Sequence, residues 1–430
     1  MDRSCRRMVA EEKLPHHVVL GLSLLLAVTV CSSAGVVFTA LTSVDGVPPF
    51  LTVSWRFWCQ EMIQLVPFLL SVRSAQLRDE EVRYRRCRGE EGGKSSMNEV
   101  SHPSSYSKPS LIFPRFVSSL PLLVTSGFFL GIHFAAWVYS LRHTSLVHSL
   151  LWVSMGPILI NGGNWMIYII GSCVVCEGYS RWCPKVQRPS WKETAGAFTG
   201  ILGAVMMLLD VRSESSLIPG SEESSKVHEP TISGDIAAFI GAAAVSIYLI
   251  IGRKLRAWMP LWMYAFPVAG SAMMTNIVFA FMYSPDRALL KGLGRTSMFG
   301  FLNRKYFFMA LYLGAGPGVC GHTMLNALLK YMSPLTISTA MLAEPLFGSL
   351  IGHYFGMQPI PGIWTLIGGS VLLVGLLFVV LGEKDSGKTA DDTSIQDDSG
   401  QQLIKLSECE EAFAMPDPVE VQKQYGAIKS

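Results

Sequence analysis

The stretch Gly321–Leu381, GHTMLNALLKYMSPLTISTAMLAEPLFGSLIGHYFGMQPIPGIWTLIGGSVLLVGLLFVVL, decides how this chain is read. Two apolar runs, Leu335–Gly356 and Gly362–Leu381, each reach the ~20 residues that a helix needs to cross a bilayer. A short turn holding Pro359 and Pro361 joins them, so they are expected as a tight antiparallel pair. Glu344 lies inside the first run, and Pro345 follows it at once. A carboxylate at that depth costs roughly 2.5–3.5 kcal/mol on insertion scales, so it should face protein and have a partner or a task. The proline removes a backbone donor and loosens the helix beside it.

Working outward, the composition agrees. Of 430 residues half are hydrophobic and only 16% are charged, with a mean hydropathy of +0.36. Soluble domains carry about 25% charge. The charges gather in tails and loops and leave long uncharged runs, which defines an all-α polytopic membrane protein. The net charge of +3 comes with no cluster of basic and aromatic residues, so a nucleic-acid partner is not expected. Cys31, Cys59 and Cys320 lie in apolar runs and read as small buried side chains. The first apolar run, 18–41, is too long for a secretory leader and reads as a spanning helix.

Hydropathy places ten spanning helices, at 18–41, 50–72, 116–141, 146–170, 192–209, 233–251, 260–283, 306–329, 335–356 and 362–381. An even number puts both termini on one side. The segments on that side before the C-terminal tail carry 21 Lys and Arg, nine of them in 73–115, against 8 on the other side. Cytoplasmic loops carry the excess of Lys and Arg, so both termini are expected in the cytoplasm. The expected organisation is an N-terminal segment 1–17, a first five-helix half 18–210, an outer linker 211–232, a second half 233–382 and a polar tail 383–430. The connection 73–115, basic at first and then rich in Ser, Pro and Tyr, is expected to be disordered, as is the tail. The tail ends in Tyr425-Gly426-Ala427-Ile428, a tyrosine-x-x-apolar pattern of the kind read by vesicle-sorting adaptors.

The halves match each other. Setting Pro157 against Pro345, an offset of 188, aligns Leu141 with Leu329, Ser145 with Ser333 and Val147 with Leu335. Beyond the next loop the offset is 172, where Pro189 meets Pro361, Gly196 meets Gly368 and Gly203 meets Gly375. Each half holds an odd number of helices, so the second is expected inverted relative to the first, a 5+5 inverted repeat. Transporters are commonly built this way, with the substrate site near the midplane where the halves meet.

The run of Ser333-Pro334, an apolar helix carrying Glu344-Pro345, and a glycine-spaced last helix resembles the EamA-type transporters of the drug/metabolite transporter superfamily. Trp55-Arg56-Phe57 is similar to that family's arginine-phenylalanine position, and Tyr139-Ser140-Leu141 with Ser145 and Pro157 resembles its first-half repeat. The sequence departs from the pattern at Gln358, where the family often has glutamate, and at Gly156, which stands where the second half has Glu344. The resemblance implies a ten-helix carrier for small organic solutes that works without a bound cofactor or ATP.

The residues that such a carrier would use are the intramembrane polar ones. Arg56 and Glu61 are five apart, about 140° around a helix, so each needs a partner on another helix. Arg56 either binds an anionic group in the cavity or forms an ion pair with Glu344. Glu344 either binds a cation or relays a proton, or serves only as that partner. His133 and His322, one position apart in the repeat alignment, suit proton coupling or simple interhelical hydrogen bonds. Asn326 lies one turn beyond His322, while Asn161, Asn164 and Asn276 read as interhelical glue. Trp137, Tyr139, Trp152 and Trp165 read as packing or as substrate walls. Gly314-Ala315-Gly316-Pro317-Gly318 permits close helix approach or opens a broken helix at the site.

Cys173, Cys176 and Cys183 lack a fourth ligand, so no metal site is expected. No catalytic grouping appears in the loops, which argues against a membrane enzyme. The remaining alternatives are a sensor or scaffold with a vestigial carrier core and an exchanger of nucleotide-sugars or sugar phosphates. The implied partners are a small organic solute, a coupling proton and a sorting adaptor at the tail. A homodimer is compatible with this reading, as is a plasma-membrane or an endosomal/lysosomal location.

Overall fold

The computed structural model describes residues 16–87, 111–143, 149, 152–173, 189–214, 231–283, 292–355 and 360–383. Among these residues the structure is helical, without strands. Helix α1, His16–Ser32, continues through Ala34–Thr39 into a wide turn, Ala40–Val44. Then come α2 (Pro49–Cys87), α3 (Leu120–His143), α4 (Gly156–Cys173), α5 (Trp191–Glu214), α6 (Ile232–Arg256) and α7 (Leu261–Tyr283). Helix α8 runs Arg304–Leu313, widens over Gly314–Thr323 and closes with Met324–Leu328. Helix α9 is in two pieces, Pro334–Met341 and Glu344–Tyr354, and α10 spans Ile363–Glu383.

Six helices among the described residues are long and apolar enough to cross a membrane: Val18–Thr42, Leu120–Ser140, Ile232–Arg256, Leu261–Tyr283, Pro334–Tyr354 and Ile363–Glu383. The chain is therefore an all-helical membrane protein. Helices α2, α4, α5 and α8 fall outside that apolar standard; α2 carries Arg56, Gln60, Glu61 and Gln64, and α8 changes its pitch over the widened Gly314–Thr323 segment.

Local sequence sets the helix ends. The Thr231 hydroxyl caps α6, accepting from the Gly234 N–H at 3.3 Å, while Asp235 sits in the first turn and Arg253, Lys254 and Arg256 in the last. Both placements suit the helix dipole. Ser333 caps α9 by accepting from the Thr336 N–H at 3.1 Å, with Pro334 at the first position, where a missing N–H costs nothing.

Prolines interrupt two helices at the same register. Helix α9 breaks at Leu342-Ala343 and restarts at Glu344-Pro345, while helical residues Trp152-Val153 give way at Ser154-Met155 and α4 starts at Gly156-Pro157. In packing, α3 lies on α6 and α7, and α8 lies on α1 and α2; α2 and α7 pack on each other, as do α4 and the first piece of α9. Helices α5 and α10 meet through glycine. A Cβ on Gly196 would stand 2.6 Å from the Gly375 carbonyl, and one on Gly203 would stand 2.5 Å from the Gly368 carbonyl.

Side chains tie the helices at both ends. At one end Lys305 pairs with Asp45, and the Thr231 hydroxyl donates to the His143 carbonyl. At the other, Glu383 accepts from the Ser333 N–H at 2.7 Å and the Thr336 hydroxyl at 2.5 Å, and the Arg115 guanidinium lies 4.1 Å over the Trp258 ring.

The expectation of disorder from Arg73 onward is corrected in part. Helix α2 runs on to Cys87, held by an Arg85–Glu81 pair at 2.5 Å one turn apart. Asp79 accepts from the N–H groups of Ile112 and Phe113 at 2.9 and 2.7 Å, fixing the short helix Ile112–Ser118. Charged residues spaced i,i+4 support a helix without any apolar face, and hydropathy does not register them. The remainder of 73–115 from 88 to 110, the tail with Tyr425 and Ile428, and Cys176 and Cys183 lie outside the described residues.

Candidate functional site

Four polar residues of α2, Thr52, Arg56, Gln60 and Gln64, recur every fourth position and so share one helical face. All four are buried. That face looks onto the wide turn of α8, which glycines bring close: a Cβ on Gly314 would meet the Cys59 Cβ at 2.6 Å, and one on Gly318 would meet the Gln60 Oε1 at 2.8 Å. The Pro317 carbonyl of this widened segment is turned toward Arg56 of α2, and such π-type segments recur at functional sites.

Arg56 is 1% exposed, yet it is poorly satisfied. Among the described residues it donates one hydrogen bond, to the Pro317 carbonyl at 3.5 Å, and its Nε has no partner. Its guanidinium instead lies over the Phe134 ring at 4.6 Å and the Phe57 ring at 5.5 Å. Gln64 donates to the Thr323 hydroxyl at 2.7 Å, which in turn donates to the Gly318 carbonyl at 3.1 Å. The Oε1 atoms of both Gln60 and Gln64 are buried and unpaired among the described residues. Three orphaned polar atoms on one face of one helix are uncommon, because a buried unpaired group costs about 1–3 kcal/mol.

The sequence-selected residues converge here. His133 and His322 flank Phe134, with ring centroids 5.2 and 5.5 Å from it. Arg56 lies within electrostatic reach of Glu344, Cys31, His133 and His322. Of the two alternatives for Arg56, the ion pair with Glu344 is not formed: neither side chain has an ion-pair partner among the described residues. Glu344 opens the second piece of α9, half-buried and without a hydrogen-bond partner there. His133 is committed on one side, since its Nδ1 donates to the Gly241 carbonyl at 2.9 Å and ties α3 to α6.

Other sequence-selected residues lie near the cluster or away from it. Asn326 accepts from the Tyr248 hydroxyl, and its own carbonyl accepts from Arg256 Nε at 2.9 Å, so it braces α6 against α8. Trp137, one turn along α3 from His133, packs edge-on to Phe38 at 6.3 Å. Asn276 bridges α7 to the Gly131 carbonyl at 3.3 Å as interhelical glue. Glu61 points elsewhere, into the α2–α7 seam against Gly270. The π-widened Gly314–Thr323 segment is continuous with its flanking helices, so Gly316 and Pro317 widen α8 without breaking it.

Gln60, Gln64 and Tyr248 were missed by sequence reasoning. For the glutamines the signal was present in the i,i+4 stripe with Arg56. Tyr248 carried none, because an isolated tyrosine in an apolar run looks like packing; Cys31 is buried as its place in an apolar run suggests. Among the described residues no group of His, Cys, Asp and Glu is placed to hold a metal ion.

No family model and no curated protein matches the chain. Among solved structures, a crystal structure described only as that of a protein aligns over 85% of this chain and 98% of its own, with a TM-score of 0.50 and 17% identity. At that identity the likeness concerns the fold alone. Fold and site together define an all-helical membrane protein with a polar, incompletely satisfied interior.

Proposed function

We propose that this protein is a secondary carrier that moves a small organic solute across a membrane by alternating access, similar to the EamA-type transporters it resembles in sequence. The reading includes ten spans arranged as a 5+5 inverted repeat, with both termini in the cytoplasm. Its support is the reciprocity of the packing: α3 on α6 and α7 mirrors α8 on α1 and α2, and the residues aligned by the repeat, Gly196 with Gly368 and Gly203 with Gly375, contact each other crosswise. Crosswise contact between equivalent positions is what a two-fold axis produces.

The observation that carries the function is the cluster of unsatisfied groups on the α2 face beside the broken helix that presents Glu344. Discontinuous helices at a repeat interface form substrate and ion sites in carriers of this architecture. In this reading Arg56 takes a polar group of the solute, Phe134 supplies an apolar wall, and Gln60 and Gln64 offer acceptors. Glu344 is the proton-coupling group, with His133 and His322 lining the cavity. Interruptions at Ser154-Met155 and Leu342-Ala343 supply the hinges for rocking one half against the other.

The test is reconstitution into proteoliposomes loaded with a mixed metabolite pool. Exchange or net flux of at least one small organic solute is expected. Folded protein that moves nothing from a broad panel would overturn the carrier reading.

A further inference from the structure

Glu61 is the buried acid that this mechanism does not use. It is 9% exposed, and among the described residues its enclosed Oε1 has no hydrogen-bond partner and its carboxyl no ion pair. Its carboxyl lies against Gly270, where an added Cβ would stand 3.6 Å from Oε2 and 3.9 Å from Oε1. Gly270 is near the middle of α7, one of the six helices long and apolar enough to cross a membrane. Helix α7 carries no charged residue from Leu261 to Tyr283, and on α2 the nearest cation, Arg56, points about 140° away. On the side of α2 that Glu61 occupies, one and two turns further on, the surface is apolar, with Leu65 42% exposed and Leu69 55%.

We infer that Glu61 is a proton-binding site of its own, separate from the central cavity, holding a neutral carboxyl in the α2–α7 seam within reach of lipid-dissolved reagents. An isolated carboxylate in such surroundings costs many kcal/mol, and a bound proton removes that cost. Gly270 leaves room for the acid between two closely packed helices. The carboxyl proton is then the site's ligand, and the apolar outer face of α2 is its approach.

A neutral carboxyl in an apolar setting reacts with hydrophobic carbodiimides. The acid proton passes to one carbodiimide nitrogen, the carboxyl oxygen adds to the central carbon, and an oxygen-to-nitrogen acyl shift fixes the adduct as an N-acylurea; no group leaves. The experiment treats the full chain in lipid vesicles with dicyclohexylcarbodiimide, or with a water-soluble cationic carbodiimide, and maps adducts by peptide mass spectrometry. An adduct on Glu61 is expected from the hydrophobic reagent and not from the water-soluble one. Loss of that adduct in Glu61→Gln, with the protein still folded by size exclusion, completes the assignment.

Folded wild-type protein without an adduct on Glu61 overturns the inference. So does equal labelling by the two reagents, which would place Glu61 in a water-filled space. The readout is mass, so it stands or falls independently of whether the protein carries a solute. Should Glu61→Gln fail to fold, the wild-type map alone decides.

Discussion

Gly203 and Gly368 face each other across the α5–α10 contact so closely that a Cβ on either would stand 2.5 Å from the carbonyl oxygen of the other. The clash would be with backbone, which cannot rotate away as a side chain can. Overpacking typically costs about 1–3 kcal/mol. Gly203→Ala is therefore expected to lower the thermal midpoint measured in lipid nanodiscs. Gly162→Ala, whose Cβ would meet nothing within 4 Å, should leave it unchanged. Equal behaviour of the two variants would contradict the close α5–α10 contact.

Arg56 should not tolerate lysine. A compact ammonium cannot reproduce a planar fork held over Phe134 and reaching the Pro317 carbonyl. A hydrogen bond to a charged group is worth about 1.5–3 kcal/mol, so Arg56→Lys is expected to weaken solute binding roughly tenfold or more. Isothermal titration or uptake at graded solute concentration reads this directly. Unchanged affinity would remove Arg56 from the site.

The Gln64–Thr323 hydrogen bond links α2 to the widened part of α8. Interhelical hydrogen bonds in membranes average about 0.6 kcal/mol and reach about 1.7. Thr323→Val keeps the shape and removes the hydroxyl. A loss within that range is expected in reversible unfolding, with Gln64→Leu adding little further once the pair is broken. Full additivity of the two would show that the residues do not interact.

At the surface, the Asp45 carboxylate raises the Lys305 ammonium above its ordinary lysine range, chiefly through their hydrogen bond. A raised folded-state value means the contribution is present below the unfolded-state value and fades as pH rises through the folded one. Wild type should thus lose its small advantage over Asp45→Asn only at strongly alkaline pH. The check is thermal midpoint against pH for both proteins. A gap that widens with rising pH would have the wrong sign.

The all-helical membrane character of this fold was legible from apolar run length. The Gly156-Pro157 and Glu344-Pro345 steps, aligned by sequence, both restart helices after two-residue breaks, because proline denies the preceding turn a donor. The four glycines picked out at offset 172 touch crosswise, Gly196 with Gly375 and Gly203 with Gly368. Of the site, Arg56, His133, His322 and Glu344 were readable as polar residues stranded in apolar runs. Which of its two alternatives Arg56 takes was not readable, because charge complementarity in one dimension does not fix distance; here aromatic rings hold the guanidinium. The helical extension to Cys87 was missed because its stability comes from ion pairs and Asp79 capping and not from an apolar stripe.

The central claim is that Glu344, unpaired beside Arg56, couples proton movement to solute transport. The direct measurement is solute uptake into proteoliposomes under an imposed proton gradient, comparing wild type with Glu344→Gln. The account predicts wild-type uptake that follows the gradient and a variant that still exchanges solute but no longer responds to it. A Glu344→Gln protein whose uptake tracks the proton gradient as the wild type does would contradict it.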